Sequence, residues 1–122
     1  MESIREQARK LALHLDHRKG MNISLLDVQG ICSIADYFLI ATGTSARHVL
    51  ALADYAEAEA EGLGLGLRHK EGHRTGDWII LDYADIVIHL FVQETRDYYG
   101  LERIWRDAQP VELPLDTGFK AL

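Results

Sequence analysis

Two stretches of the chain carry apolar residues at helical spacing. The first begins at a capping box, in which the Ser3 hydroxyl can accept the amide of Glu6, and Gly20 is expected to supply the left-handed residue that ends the helix. The second follows Gly43-Thr44-Ser45, which is expected to supply both a turn and an N-cap. The stripes that should pack on the core are Ile4, Ala8, Leu11 and Leu15 in the first helix and Val49, Leu52, Ala53, Ala56, Ala60 and Leu63 in the second.

Four other stretches have the pattern of β-strands. Residues 23–28 predict a first strand, and residues 36–42 predict a second that is apolar on both faces, as interior strands are. A third strand is expected near residues 65–70. Residues 77–91 then predict a β-hairpin, apolar on both faces, with its turn at Tyr83-Ala84.

The predicted order of elements is α-β-β-α-β-β-β-α, with short helical turns over residues 94–99 and 101–108. A strand, helix and strand in the middle of this order fit a crossover connection, so we expect an α/β fold with a mixed sheet of about five strands and helices packed on it. Residues 1–108 are expected to form one α/β domain. Residues 109–122 contain two prolines and are expected to form an irregular C-terminal tail.

Composition narrows the class of protein. The chain has 122 residues, of which 48% are hydrophobic and 26% charged, as in ordinary globular domains. No apolar run approaches the roughly 20 residues that span a bilayer, and charged residues occupy the N-terminus, so we expect a soluble, cytoplasmic protein without membrane contact. The single Cys32 excludes an internal disulfide. A net charge of −6 disfavours direct nucleic-acid binding and favours a basic or neutral protein partner.

The candidate metal and phosphate sites each have a simpler structural explanation. Gly62-x-Gly-x-Gly66 follows a helix and precedes a strand, the reverse of a dinucleotide-binding loop, and is expected to end the helix. His69 and His73 lie four apart outside any predicted helix and have no third ligand nearby, so we expect no metal. His89 lies in an apolar strand, where it must find a partner or a function; a hydrogen-bonded core or interface histidine is the simpler account.

An enzyme remains the alternative. Asp82 and Asp85 flank the hairpin turn, and the helix start at Thr44-Ser45-Ala46-Arg47-His48 has the form of an anion site, so a small nucleotidyltransferase or phosphate-ester enzyme would use both. Metal-dependent transferases, however, need carboxylates two apart on one strand face, and these are three apart across a turn. We therefore expect no catalytic residues and no cofactor. A purely self-associating scaffold is a third possibility.

Large aromatic residues are concentrated around the hairpin and the segment after it. They are Trp78, Tyr98, Tyr99 and Trp105, and the last three lie in a short, strongly charged stretch. Tryptophan, tyrosine and arginine are enriched at protein-binding hot spots. An aromatic patch bordered by Asp and Glu therefore predicts a protein-docking surface.

Several motifs closely resemble those of the ribosomal silencing factor family, the Iojap-related proteins of bacteria and organelles. The resemblance extends from the first helix to about residue 108. The matching segments are Leu26-Asp-Val-Gln-Gly30, the block from Ser33 to Val49, Glu71-Gly72, the block from Asp77 to His89, and Tyr99-Gly-Leu-Glu-Arg-Ile-Trp105.

The resemblance implies a non-enzymatic factor that binds the large ribosomal subunit through ribosomal protein L fourteen. Such a factor blocks joining of the small subunit and represses translation during nutrient limitation or stationary phase. The family's fold is related to nucleotidyltransferases but lacks their paired metal carboxylates, and its members tend to form homodimers when free. The partner-binding residues expected from the hairpin block and the aromatic tail are Trp78, Asp82, Tyr83, Asp85, His89 and Trp105.

Overall fold

The computed structural model describes residues 2–72, 74, 76–100, 103 and 106–114. The predicted order of elements is confirmed, and one short strand is added after it. The elements are α1 (Ile4–His17), β1 (Met21–Asp27), β2 (Tyr37–Gly43), α2 (Ala46–Gly62), β3 (His69–Glu71), β4 (Trp78–Asp82), β5 (Ile86–Val92), α3 (Gln93–Tyr99) and β6 (Gln109–Pro110).

The strands form one mixed sheet in the order β3-β4-β5-β2-β1-β6. The central pair, β2 and β5, is parallel, and all other pairs in the described sheet are antiparallel. The α/β prediction is therefore confirmed, with six strands where about five were expected. Helix α2 carries the chain from β2 at the centre to β3 at one edge of the sheet.

The register of the strands assigns each side chain to one of two faces. The helix face is covered by α1 and α2, and its buried side chains include Leu39 of β2, Ile79 and Leu81 of β4, and Ile88 and Leu90 of β5. The remaining, alternate residues of these strands point to the opposite face, here called the outer face. On it, residues of neighbouring strands stand directly across from one another. They are His69 and Glu71 of β3, Trp78, Ile80 and Asp82 of β4, Val87, His89 and Phe91 of β5, and Phe38, Ile40 and Thr42 of β2.

Helix α1 begins as predicted but ends differently. The Ser3 hydroxyl accepts the amide N–H of Glu6 at 3.1 Å. The left-handed residue at the other end is Lys19, with φ of 73°, and not Gly20, so that prediction was wrong. Gly20 instead donates its N–H to the Leu15 carbonyl at 2.8 Å, and a Cβ at Gly20 would lie 2.9 Å from that oxygen. The glycine is explained by this close approach to the helix backbone.

The chain after residue 108 is not irregular from its start. Gln109 and Pro110 pair with β1 on the side away from β2, and the Val111 amide donates to the Leu25 carbonyl at 2.8 Å. Proline is compatible with this position because β6 is an edge strand, where one side needs no ladder hydrogen bonds. Val111 is buried, so the ordered core extends past the expected boundary at residue 108.

Two further features complete the architecture. Helix α3 packs on the outer face, where Arg96 Nη1 donates to Thr42 Oγ1 at 2.7 Å and to the Asn22 carbonyl at 2.6 Å. Within the described part of the chain, no helix is both long enough and apolar enough to cross a membrane. Four of the eight residues of the helical turn expected over residues 101–108 lie outside the described residues.

Candidate functional site

A groove of about 320 Å³ opens on the outer face of the sheet, beside the β4–β5 hairpin. Its floor is apolar and is formed by Phe38, Ile80 and Val87, which stand on three neighbouring strands. Ile34, from the loop between β1 and β2, lines the groove although 74% of its surface is exposed. An exposed aliphatic side chain beside an open apolar floor is typical of a docking surface.

The rim of the groove is polar and acidic. Glu71 and Asp82 line it together with His69, which stands opposite Asp82 in the β3–β4 pair. The Nε2 atom of His69 lies 3.5 Å from Oε1 of Glu71. Oδ1 of Asp82 accepts the amide N–H of Ala84 at 2.8 Å, which supports the left-handed Ala84 at φ of 74°. Asp82 therefore holds the hairpin turn, as an aspartate at a turn commonly does, and also places negative charge at the groove.

Trp78 and His89 form a hydrogen-bonded aromatic pair next to the groove. The indole Nε1–H of Trp78 donates to Nδ1 of His89 at 3.2 Å, and the Trp78 ring packs against Phe91 with centroids 5.1 Å apart. The His89 ring also contacts the edge of Phe38. His89 is only 7% exposed, and this burial lowers its pKa to about 4. The ring is therefore neutral near pH 7 and accepts at Nδ1.

Three of the six predicted partner-binding residues share the outer face: Trp78, Asp82 and His89. Asp85 is exposed in the hairpin turn, where its carbonyl accepts the amides of Asp36 and Tyr37 at 2.9 and 3.0 Å. Trp105 lies outside the described residues. Among the other aromatic residues, Tyr98 is 81% exposed on α3.

Tyr83 does not belong to this surface. Its side chain continues the alternation of Ile79 and Leu81 and is buried with them in the core of the helix face. Burial raises the pKa of Tyr83 to about 12, and the nearby Glu57 carboxylate adds to the increase. The prediction grouped Tyr83 with its sequence neighbours, but the side chain points to the opposite side of the sheet.

Several lining residues were missed by the sequence analysis. Ile80 was expected only as part of a hairpin that is apolar on both faces, and it is partly exposed on the groove floor. Ile34 reaches the groove from the loop before β2. Glu71 and His69 reach it because of the register in which β3 pairs with β4. The period-two alternation of β4 contained the signal for Ile80, whereas nothing local in the sequence specifies which strand lies beside β4.

The parts of the alternative enzyme site are far apart. Asp82 stands opposite Val87, and Val87 opposite Phe38, whereas Thr44 follows the far end of the same strand, β2. Five residue-to-residue steps of extended chain lead from Phe38 to Gly43, which corresponds to about 16 Å. The two groups therefore cannot act on one small substrate.

The helix start at Thr44 also has internal partners. The amide of Thr44 donates to Nδ1 of His48 at 2.9 Å, and the amide of His48 donates to the Ser45 hydroxyl at 3.1 Å. Nε2 of His48 lies 3.0 Å from the Arg18 carbonyl at the end of α1. The helix start thus joins α1 to α2.

The described residues contain no cluster of three or more His, Cys, Asp or Glu side chains that could hold a metal ion.

The fold and the groove define a mixed α/β protein whose outer face carries an acidic, partly apolar groove. Residues 1–120 match the protein family described as "Ribosomal silencing factor during starvation". The chain belongs to this family of ribosomal silencing factors.

Individual relatives agree with this assignment. A ribosomal silencing factor from Halalkalibacterium halodurans is 37% identical over 99 residues, which cover 81% of this chain and 85% of the relative. A mouse protein named for mitochondrial assembly of the ribosomal large subunit is 33% identical over 94 residues, 75% of this chain and 41% of its own. A crystal structure from Chromobacterium violaceum superposes with a TM-score of 0.83 at 29% identity, covering 97% of this chain and 99% of the other.

Proposed function

We propose that this protein represses translation by binding the large ribosomal subunit through ribosomal protein L fourteen, where it blocks joining of the small subunit. It acts without catalysis and without a cofactor, because steric competition needs only affinity for a site that the small subunit also covers. Nutrient limitation or stationary phase is the condition in which this repression operates. The cytoplasm is its place of action.

The observation that carries this proposal is the groove on the outer face of the sheet. Ile34, Ile80 and Trp78 offer apolar surface to a partner, and the buried side chains of Phe38 and Val87 complete the floor beneath it. Burial of such a patch supplies affinity, and buried aromatic anchors supply most of the energy in protein interfaces. The groove therefore suits a folded protein partner better than a flexible polar ligand.

Charge supports a ribosomal protein as the partner. Glu71 and Asp82 place carboxylates at the rim of the groove, and the whole chain carries a net charge of −6. Ribosomal proteins are mostly basic, so complementary charge would speed the encounter, while the same field repels bare RNA. The name of the mouse relative points to the large subunit in particular.

The free protein is proposed to be a homodimer, in keeping with the family resemblance. The outer face also offers apolar area to a second copy of the chain. Sedimentation of the free protein over a range of concentrations measures this state.

The test is co-sedimentation of purified protein with purified large subunits, followed by a subunit-joining assay. Trp78→Glu places a charge at the edge of the groove and is expected to abolish both binding and inhibition of joining. Tyr55→Glu is the matched control, since it makes the same kind of change at a partly exposed aromatic residue of α2, on the opposite side of the sheet. It is expected to leave both activities unchanged.

The folded state of each variant is checked by circular dichroism, because Trp78 also packs on Phe91 and donates to His89. Wild-type co-sedimentation by a folded Trp78→Glu protein would remove the groove from the proposal. Normal subunit joining in the presence of saturating wild-type protein would contradict the proposed mechanism itself.

A further inference from the structure

The two ring nitrogens of His89 have different environments. Nδ1 lies 3.2 Å from the indole Nε1 of Trp78, and an indole nitrogen is only a donor. Nδ1 must therefore be the unprotonated, accepting nitrogen, and the proton of the neutral ring is on Nε2. The Trp78 hydrogen bond thus fixes one tautomer of His89.

The Nε2–H group belongs to a ring that is 93% buried yet lines the groove. Among the described residues, the side-chain hydrogen bonds of His89 extend to Trp78 alone. Buried donors in native proteins are normally satisfied by protein or by ordered water. A partner that enters the groove and displaces water must supply an acceptor at this position, or it leaves a buried donor without one.

We propose that His89 is a recognition and positioning residue of the groove: its Nδ1 orients Trp78, and its Nε2–H donates to a main-chain carbonyl oxygen of the bound ribosomal protein. This inference rests on the proposed function and specifies the chemistry of the same site. The partner segment presents an uncharged oxygen beside an aliphatic side chain that fills the apolar floor.

The charge of the rim explains why the acceptor is a neutral carbonyl. Glu71 and Asp82 line the same groove from β3 and β4, so a partner carboxylate or phosphate would meet two like charges there. A backbone carbonyl accepts a hydrogen bond without adding charge. It also leaves neighbouring basic side chains of the partner free to approach the two rim carboxylates.

Two variants separate the hydrogen bonding of the His89 ring from its shape. His89→Phe keeps a planar ring but has neither donor nor acceptor, and it is expected to weaken binding to purified ribosomal protein L fourteen by about tenfold. His89→Gln carries both an amide oxygen and an amide N–H and is expected to recover part of the loss. Equal affinities of the wild-type and Phe proteins would overturn the inference.

Nitrogen-15 spectra of the histidine ring provide a readout that a purely structural residue would not change. In the free protein, Nε2 of His89 is expected to carry the proton, and its signal should shift downfield and exchange more slowly with water when the purified ribosomal protein is added. A proton on Nδ1, or an unchanged Nε2 signal in the complex, would overturn the inference even if the Phe variant failed to fold.

The Trp78→Glu variant distinguishes failure of this inference from failure of the proposed function. If Trp78→Glu loses binding while His89→Phe retains it, the groove is the binding site and the role of His89 is wrong. If both variants bind as the wild type does, the groove is not the binding site and this inference falls, whereas the proposed function falls only if the wild-type protein leaves subunit joining unchanged.

Discussion

Ile31 and Ile34 lie three positions apart in the loop between β1 and β2, and both are exposed, by 47% and 74%. Only Ile34 lines the groove. Truncation of Ile34 to alanine removes apolar area that a partner would cover, so we expect Ile34→Ala to weaken large-subunit binding by about 1 kcal/mol, or roughly fivefold. A titration with purified large subunits measures this change.

Ile31→Ala is the matched control because it makes the same truncation in the same loop away from the groove. Neither substitution should lower the melting temperature appreciably, since both side chains are already in water. Equal effects of the two truncations on affinity would contradict the proposed location of the interface.

His89 also makes the stability of the protein depend on pH. Its pKa is about 4 in the folded protein, against 6.5 for an unperturbed histidine. Between these values the unfolded chain binds a proton that the native state does not, so stability decreases as pH falls from 6.5 to 4. The contribution of this one group amounts to about 3 kcal/mol over that interval.

Urea unfolding of the wild type and of His89→Phe at several pH values between 7 and 4 measures this contribution. Phenylalanine does not titrate, so the difference in the free energy of unfolding between the two proteins should change by the expected amount. The other titrating groups, including Glu71 and Asp82 at the same groove, are present in both proteins. A difference that stays constant with pH would contradict burial of a neutral His89.

Among the structural elements, the connection between β3 and β4 depends on Gly72. Its φ is +81°, and a Cβ placed there would lie 1.8 Å from the Trp78 carbonyl oxygen. Gly64 provides a matched control, since its φ is +82° and a Cβ there would meet nothing within 4 Å. We expect Gly64→Ala to cost about 1 kcal/mol for the left-handed backbone alone and Gly72→Ala to cost at least about 3 kcal/mol.

Chemical denaturation of the two alanine variants measures both costs. Gly72→Ala should also weaken large-subunit binding, because the displaced backbone carries Trp78 and Glu71. Similar stabilities of the two variants would show that the β3–β4 connection has room to adjust.

The elements were largely predictable because their signals are local. The capping box at Ser3 and the alternation in β2, β4 and β5 specify type and order without knowledge of tertiary structure. Strand β6 was missed because its two residues include Pro110, and its pairing with β1 is a long-range event. The apolar positions Val111 and Leu113 were the remaining sign that the tail packs on the sheet.

The groove was less predictable than the elements. Trp78, Asp82 and His89 were grouped because they belong to one hairpin block, and they do share a face, since Trp78 and Asp82 are alternate residues of β4 and His89 of β5 stands on the same side. Tyr83 was misplaced because residues of both faces were grouped together. Glu71 and Ile34 enter the site through pairing and loop geometry that link positions distant in sequence, and no local pattern encodes those contacts.

For the whole molecule, the net charge of −6 should act mainly on the rate of association. Asp82→Asn removes one rim charge and retains an oxygen that can accept the Ala84 amide, so the hairpin turn should survive. We expect the variant to associate more slowly with large subunits and to show a weaker dependence of the association rate on salt.

Glu61→Gln, at an exposed position near the end of α2, changes the net charge equally and serves as the control. Rapid-mixing measurements at two ionic strengths compare the variants. If both slow association equally, the overall field rather than the groove rim steers the encounter.

The central parallel pair also determines the order in which this chain can fold. Tyr37 stands opposite Ile86, and Leu26 opposite Pro110, so both the middle and one edge of the sheet join segments far apart in sequence. Strand pairing over such separations is slow because loop closure precedes the stabilising contacts. During synthesis, β1 and β2 can therefore pair with each other, but β2 lacks its parallel neighbour until β5 has been made. A protein proposed to act on ribosomes thus gains its own proposed docking surface only after β5 has been made.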